Sequence, residues 1–296
     1  MPTIHSSRTI VQLEGVNGNL FTLSGPGMGA EGVWLGTEVE GIYDAPVKTI
    51  YTEHAHQIGA SFGGMRRLRR DIVFGVTIGD TQSDNWEYND SEWRKAWSYT
   101  EDAKLWIETE SSRRYLKVRL AEQPSFRPKK DPHLMQVADM VMTVVAGDPW
   151  WYEEDETSSW QLEASMATSG TGHVTVSNPT DQEIWLKWVM MGGAARWTIP
   201  DFSWMPDEWQ TRKIVMPSMK ANQVFRVDTD PFEDQLRDLN GSQVWSLMKG
   251  VTFLHSVPAY TPKTELPVSV TGVSPGVTVG IQVRSPRTWS RPWGLR

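Results

Sequence analysis

Apolar residues return at every second position in one short run after another, and glycine or proline closes most of these runs. Ile72, Phe74, Val76 and Ile78 fall on one face of an extended segment, with Val73, Gly75 and Thr77 on the other. Leu116, Val118 and Leu120 alternate with Tyr115, Lys117 and Arg119, the pattern of a half-buried strand. Leu134 to Ala146 is apolar on both faces, which predicts a central strand. Val174/Val176, Ile184/Leu186/Trp188, Phe225/Val227, Val268/Val270 and Val277/Val279/Ile281/Val283 continue the pattern. A period of two does not serve a helix, so the chain is expected to be mainly β, a sandwich or barrel of many short strands.

Two segments depart from that period. Asn89 with Glu92 three residues on has capping-box spacing, and Trp93 and Trp97 then share a helical face. Asp230, Pro231 and Glu233 carry helix-start signals, Phe232, Leu236 and Leu239 line one side, and Gly241 closes the segment. Both are expected to be helices. The strongest boundary is the run from Asp148 to Ser159, where Pro149 interrupts the ladder and acidic residues follow. Two domains are expected, 1–150 and 151–296, without a fixed-period repeat.

Little in the chain looks like catalytic or cofactor chemistry. With 0 Cys, disulfides, thiolate metal sites and thiol nucleophiles are excluded. Gly25, Gly27 and Gly29 resemble a phosphate loop, but no Gly-Lys-Ser/Thr follows and Pro26 removes an N–H; a loop between strands is the better reading. His54 and His56 sit at i, i+2 without a marked third ligand, so they read as polar face or interface residues. Asp228, Asp230, Glu233 and Asp234 cannot form an EF-hand loop, because Glu233 stands where glycine is needed and Phe232 cannot ligate. No nucleophile elbow is present, and nothing marks a carboxylate pair for glycoside hydrolysis. No catalytic, metal or cofactor residue is expected.

Met1-Pro2-Thr3-Ile4-His5 lacks the basic-then-apolar pattern of a signal peptide, and the apolar run from Met140 to Gly147 is too short to cross a bilayer. No membrane association is expected. The net charge is −7, and no basic stripe favours nucleic acid. Arg66, Arg67, Arg69 and Arg70 form an isolated basic run, which suits either a charge-complementary protein interface or a solvated strand end balanced by Asp71 and Asp80. The chain also carries 16 Trp. Composition leaves three uses for them: core, sugar-stacking platform, or interface anchor.

Four stretches together resemble the distal tail proteins of long-tailed, non-contractile bacteriophages, in the version carried by phages of actinobacterial hosts and often labelled minor tail protein. They are Gly18-Asn19-Leu20-Phe21-Thr22-Leu23-Ser24-Gly25 with Gly32-Val33-Trp34-Leu35; Gly63-Gly64 leading through the Arg run into Ile72-Val73-Phe74-Gly75-Val76; Gly147-Asp148-Pro149-Trp150-Trp151; and Ser285-Pro286-Arg287-Thr288-Trp289-Ser290-Arg291-Pro292-Trp293-Gly294-Leu295. The resemblance covers nearly the whole chain and is weakest from Trp197 to Met219.

The resemblance implies an N-terminal β-rich belt domain with one helix, followed by a peripheral galectin-like β-sandwich. It implies a hexameric ring that joins the tail tube to the tail tip and leaves a channel for DNA, with the major tail tube, tape-measure and hub proteins as partners. DNA would be met only in transit. Location would be the virion tail tip, after synthesis in the host cytoplasm. Trp34, Arg66, Arg67, Arg69, Arg70, Trp150, Trp151, Trp289 and Trp293 are the expected ring or partner contacts. The alternative is a carbohydrate-binding accessory protein contacting host glycan, with Trp197, Trp204 and Trp209 as platform candidates.

Overall fold

The structure is a computed structural model that describes residues 9–37, 39–204 and 211–295. The chain divides into two compact units. The first runs to Glu153 and takes back Trp289–Leu295; the second is Glu154–Thr288. Trp289–Leu295 thus belong to the first unit, where the expected boundary put them in the second domain.

The first unit contains β1 (Ile10–Glu14), β2 (Leu20–Ser24), β3 (Val33–Leu35), β4 (Val47–Thr52), β5 (Ser61–Arg67), β6 (Arg70–Gly79), α1 (Trp86–Lys95), β7 (Ala103–Glu108), β8 (Arg113–Leu120), β9 (Ser125–Phe126), α2 (Pro132–Met135) and β10 (Val137–Ala146). Hydrogen bonding runs β2-β1-β7-β8-β10-β6-β3, antiparallel throughout, with β9 beside β10. Alternation directs Leu13, Phe21, Leu105 and Leu116 from one end of this order, and Phe74 and Met142 from the other, into one core. Trp93 and Trp97 of the helical segment close it, edge to face at 5.5 Å, with Phe21 at 5.2 Å from Trp93.

Asn85, not Asn89, caps α1: its side chain accepts from the Tyr88 N–H at 2.9 Å. Asn89 lies buried one turn later and donates to the Gly79 carbonyl at 2.8 Å. The strand expected from Leu134 begins only at Val137. Asp131 accepts from the His133 N–H and Pro132 fixes the first turn, so Leu134 and Met135 sit in α2 and point outward. Within β10 the odd-numbered residues face out, and Val137 and Val141 are exposed. The second face expected to be apolar is mixed: Val137, Val141 and Val145 alternate with Asp139 and Thr143, and Asp139 accepts from the Thr77 hydroxyl at 2.7 Å. Gly29, in the glycine-rich loop, needs its positive φ of 76° and lies under the Trp34 ring, where a Cβ would meet Nε1 at 2.0 Å.

β10 ends at Ala146, before Pro149, as expected, but the acidic run that follows is itself strand: Trp151–Glu153 begin β11 (Trp151–Leu162) inside the first unit. The second unit holds the rest of β11 with β12 (Ser169–Asn178), β13 (Lys187–Met191), β14 (Arg196–Pro200), β15 (Lys213–Val215), β16 (Phe225–Asp228), β17 (Leu236–Asp238), β18 (Thr261–Thr271) and β19 (Val279–Trp289, less its last residue). Two strand sets, β17-β16-β13-β19-β11 and β12-β18-β14-β15, contribute to one core. Trp188, Phe225 and Ile281 come from the first set; Val174, Trp197 and Val268 come from the second. This is a β-sandwich.

The helix expected at Asp230 is a turn followed by β17 and a hairpin. Asp230 accepts from the Phe232 N–H at 2.9 Å, and Gly241, at φ 78°, turns the chain. Helix-start chemistry is also turn chemistry: an Asx residue before proline serves both. Phe232 points into solvent from the turn while Leu236 is buried on β17, a split that one helical face at i, i+4 does not allow.

Candidate assembly surface

Two buried arginines tie the C-terminal segment to the first unit. Arg114 on β8 is fully buried, with its guanidinium 3.7 Å from the centroid of the Trp289 ring. It donates to the carbonyls of Arg291 at 2.9 Å and Gly294 at 3.0 Å. The Trp289 indole N–H donates to Glu153 at 2.9 Å. Arg70, also fully buried, donates to five carbonyls: Gly41, Ile42, Asp44, Pro149 and Ser290, at 2.7–3.3 Å. Burial draws its pKa down to about 10, against the opposing charge of Asp44, and leaves it protonated at neutral pH.

These positions correct three expected contacts. Arg70, Trp151 and Trp289 are at most 1% exposed and act within their own unit. The other arginines of the run remain at the surface. Arg67 stacks over Trp150 at 4.4 Å, Arg69 pairs with Asp71 at 3.1 Å, and Arg66 is exposed. Together with Asp44 they edge a hollow of about 560 Å³. Trp293 is 36% exposed and packs edge-on against Tyr43 at 5.1 Å. Trp34 is partly exposed on the outward face of β3, opposite Thr77 of β6.

One surface went unread in the sequence. Among the described residues, β4 and β5 pair only with each other, and nearly every residue of both is exposed. Cross-strand register puts Val47, Thr49 and Tyr51 opposite Arg67, Met65 and Phe62 on one face. Tyr51 and Phe62 meet at 5.8 Å. The alternating β-branched and aromatic run Val47-Lys48-Thr49-Ile50-Tyr51-Thr52 was the available signal. His54 and His56 fall in the turn beyond β4, with His56 at φ 71°, so they share no strand face.

No family model matches the chain. Minor tail protein Gp27 of Mycobacterium phage L5 is 35% identical over 336 residues, covering 97% of this chain and 98% of the relative. Its counterpart in Mycobacterium phage D29 is 36% identical over the same extent. The chain belongs to this minor tail protein family. The fold is shared with the Dit protein (gp 19.1) of phage SPP1, at a TM-score of 0.61 and 11% identity, covering 95% of this chain and 98% of that one. A chain of the phage P2 baseplate follows, at a TM-score of 0.54, 9% identity and the same coverage.

The sandwich of this family member offers little for the sugar-platform alternative. Trp197 is fully buried and meets Trp160 edge-on at 6.1 Å, so it is core. Trp204 packs partly buried against that core. Trp209 lies outside the described residues. The acidic group near Asp228 is engaged locally: Asp228 pairs with Lys187 at 2.9 Å and Asp234 with Arg237 at 2.6 Å. Among the described residues, no group of three or more His, Cys, Asp or Glu is placed to hold a metal.

Proposed function

We propose that the chain is a structural subunit of a phage tail tip which assembles with copies of itself into a hexameric ring. In this reading the ring joins the tail tube to the hub, leaves a channel for DNA ejection, and contacts the tube, tape-measure and hub proteins. The observation that carries it is the near full-length relationship to mycobacteriophage minor tail proteins. The likeness of fold to Dit and baseplate chains over 95% of the chain supports it. The exposed apolar side chains of the hairpin β4–β5 form a surface of the kind an obligate assembly covers.

A cyclic ring requires two different patches to meet around the axis. Trp34, Trp150, Trp293 and the arginines at 66, 67 and 69 are the anchors retained for such contacts, with the arginines facing protein. The lumen would carry more acidic than basic side chains, so that phosphates pass without sticking. Averaged electron micrographs of the purified protein should show rings with six-fold symmetry. Particles that remain monomeric at every concentration would sink the reading.

A further inference from the structure

Positive charge collects at the base of the β4–β5 hairpin and is not answered within the chain. Lys48 and Arg66 stand directly opposite each other across the two strands. Like charges in that register are destabilising, and an anion beside them removes the penalty. Among the described residues, Lys48, Arg66 and Arg67 have no acidic partner. The Trp150 ring holds the Arg67 guanidinium at 4.4 Å, a contact that positions the charge without neutralising it. Arg69 and Arg291 do meet acids, Asp71 at 3.1 Å and Asp44 at 2.5 Å. The buried Arg70 is bonded to carbonyls, which carry no formal charge. The Leu68 N–H donates to the Pro46 carbonyl at 3.0 Å and closes the hairpin base. Pro46 and Leu68 supply the apolar lining of the hollow that Arg66, Arg67 and Arg69 edge.

We propose that this hollow receives an acidic peptide segment of a different tail protein, with carboxylates against Arg66 and Arg67 and apolar side chains against Pro46 and Leu68. The inference rests on the tail-tip reading for the presence of such a partner and names its chemistry. A guanidinium pairs with a carboxylate through two parallel hydrogen bonds, so arginine suits this role better than lysine. A peptide also fits better than DNA. A duplex carries one charge per about 1.7 Å of its axis and calls for a long basic stripe. Here the cations are confined to one end of a hairpin, in a chain of net charge −7. Asp44 and Asp71 line the same hollow, and they repel a phosphate backbone more than an isolated carboxylate. The acidic runs of this chain are engaged locally: Glu153 by Trp289, Glu156 by Arg287, Asp228 by Lys187 and Asp234 by Arg237. The complementary segment is therefore assigned to another protein.

The test follows the fluorescence anisotropy of a labelled oligoglutamate peptide titrated with the full chain, beside a DNA duplex carrying the same label. Peptide binding should weaken as salt rises, and weaken roughly tenfold or more in the double variant Arg66→Gln, Arg67→Gln. Lys129→Gln with Lys130→Gln removes the same charge from an exposed loop of the same unit and should bind like the parent. Both variants alter exposed side chains, and parental far-ultraviolet circular dichroism checks that each is folded. Crosslinks from a benzophenone-tagged peptide to the parent chain should map to residues 41–71 or to Trp150. The proposal is overturned if the peptide does not bind, if it binds both variants alike, if the crosslinks fall on a different surface, or if the duplex binds more tightly than the peptide. Rings that form without peptide binding would remove the site and keep the ring reading. Monomers that bind the peptide through Arg66 and Arg67 would do the reverse.

Discussion

The Arg114 guanidinium lies over the Trp289 indole, 3.7 Å from the ring centroid, although 174 residues of chain separate the two. Trp289 is 1% exposed, and the same arginine holds the carbonyls of Arg291 and Gly294. Removing a buried Trp costs about 3–5 kcal/mol. Trp289→Ala should therefore lower the unfolding free energy of the first unit by an amount of that order, with a lower denaturant midpoint, and open the bond after Arg287 to trypsin. A variant with the parental midpoint and an equally protected C-terminus would contradict this.

Arg70→Lys should be costly despite keeping the charge. Arg70 satisfies five carbonyls from three separate stretches of chain, and an ammonium has three donors. Leaving buried carbonyls unpaired costs about 1–3 kcal/mol each, partly relieved by local relaxation. We expect a loss of about 2–4 kcal/mol in equilibrium unfolding, with Arg66→Lys as the control that changes nothing measurable. Equal stabilities for the two variants would refute the role of Arg70 as an internal tie.

How far the sequence could be read follows from where each element finds its partner. Ile72–Ile78 and Leu116–Leu120 were legible because one face of each meets a core and the other does not. The hairpin β4–β5 was missed because neither face meets a core within the chain, so its pattern carries no inside-outside contrast. The helix expected at Asp230 failed because an Asx residue, a proline and a later glycine build a turn and hairpin as readily as a capped helix. The C-terminal docking was out of reach, since Arg70 and Arg114 meet it across hydrogen bonds spanning 220 and 177 residues.

Glu14 gives a pH test with a fixed sign. A hydrogen bond from Lys104 holds its carboxyl below the ordinary 4.5, burial opposes, and the Trp106 indole N–H adds to the lowering. A depressed folded pKa contributes stability above the unfolded value and loses it as pH falls through the folded one. Glu14→Gln should therefore be less stable than the parent at pH 7, with a gap that stays constant down to about pH 5 and closes below the ordinary carboxylate value. A gap that widens in acid would reverse the sign and reject the account.

The two asparagines near α1 separate a cap from a core hydrogen bond. Asn85→Ala removes a side-chain cap and should cost about 1 kcal/mol. Asn89→Ala leaves the buried Gly79 carbonyl without its side-chain donor and opens space above Gly32, where a Cβ would stand 2.2 Å from Asn89 Nδ2. It should cost about 2–3 kcal/mol. Thermal unfolding of both variants in one buffer decides the order, and the reverse ranking would restore Asn89 as the cap.

Trp160 and Gly172 are packed so closely that the second unit should register a single methyl group. A Cβ at Gly172 would stand 2.2 Å from Trp160 Nε1 and 2.3 Å from Cε2, so the indole, not a flexible chain end, has to move. Trp160 in turn meets the buried Trp197 edge-on, which transmits the displacement into the sandwich core. Gly172 has no positive φ, so backbone strain plays no part and the steric effect is isolated. Overpacking of this kind costs about 1–3 kcal/mol. Gly172→Ala should lower the stability of the second unit by that amount and change the near-ultraviolet circular dichroism of its tryptophans. Gly272→Ala is a poor control, because its φ of 71° brings strain of its own. Ser169→Ala, on the same strand and exposed, should leave both signals at parental values. Gly172→Ala with parental stability and an unchanged aromatic spectrum would mean that the Trp160 ring does not lie over this glycine in solution.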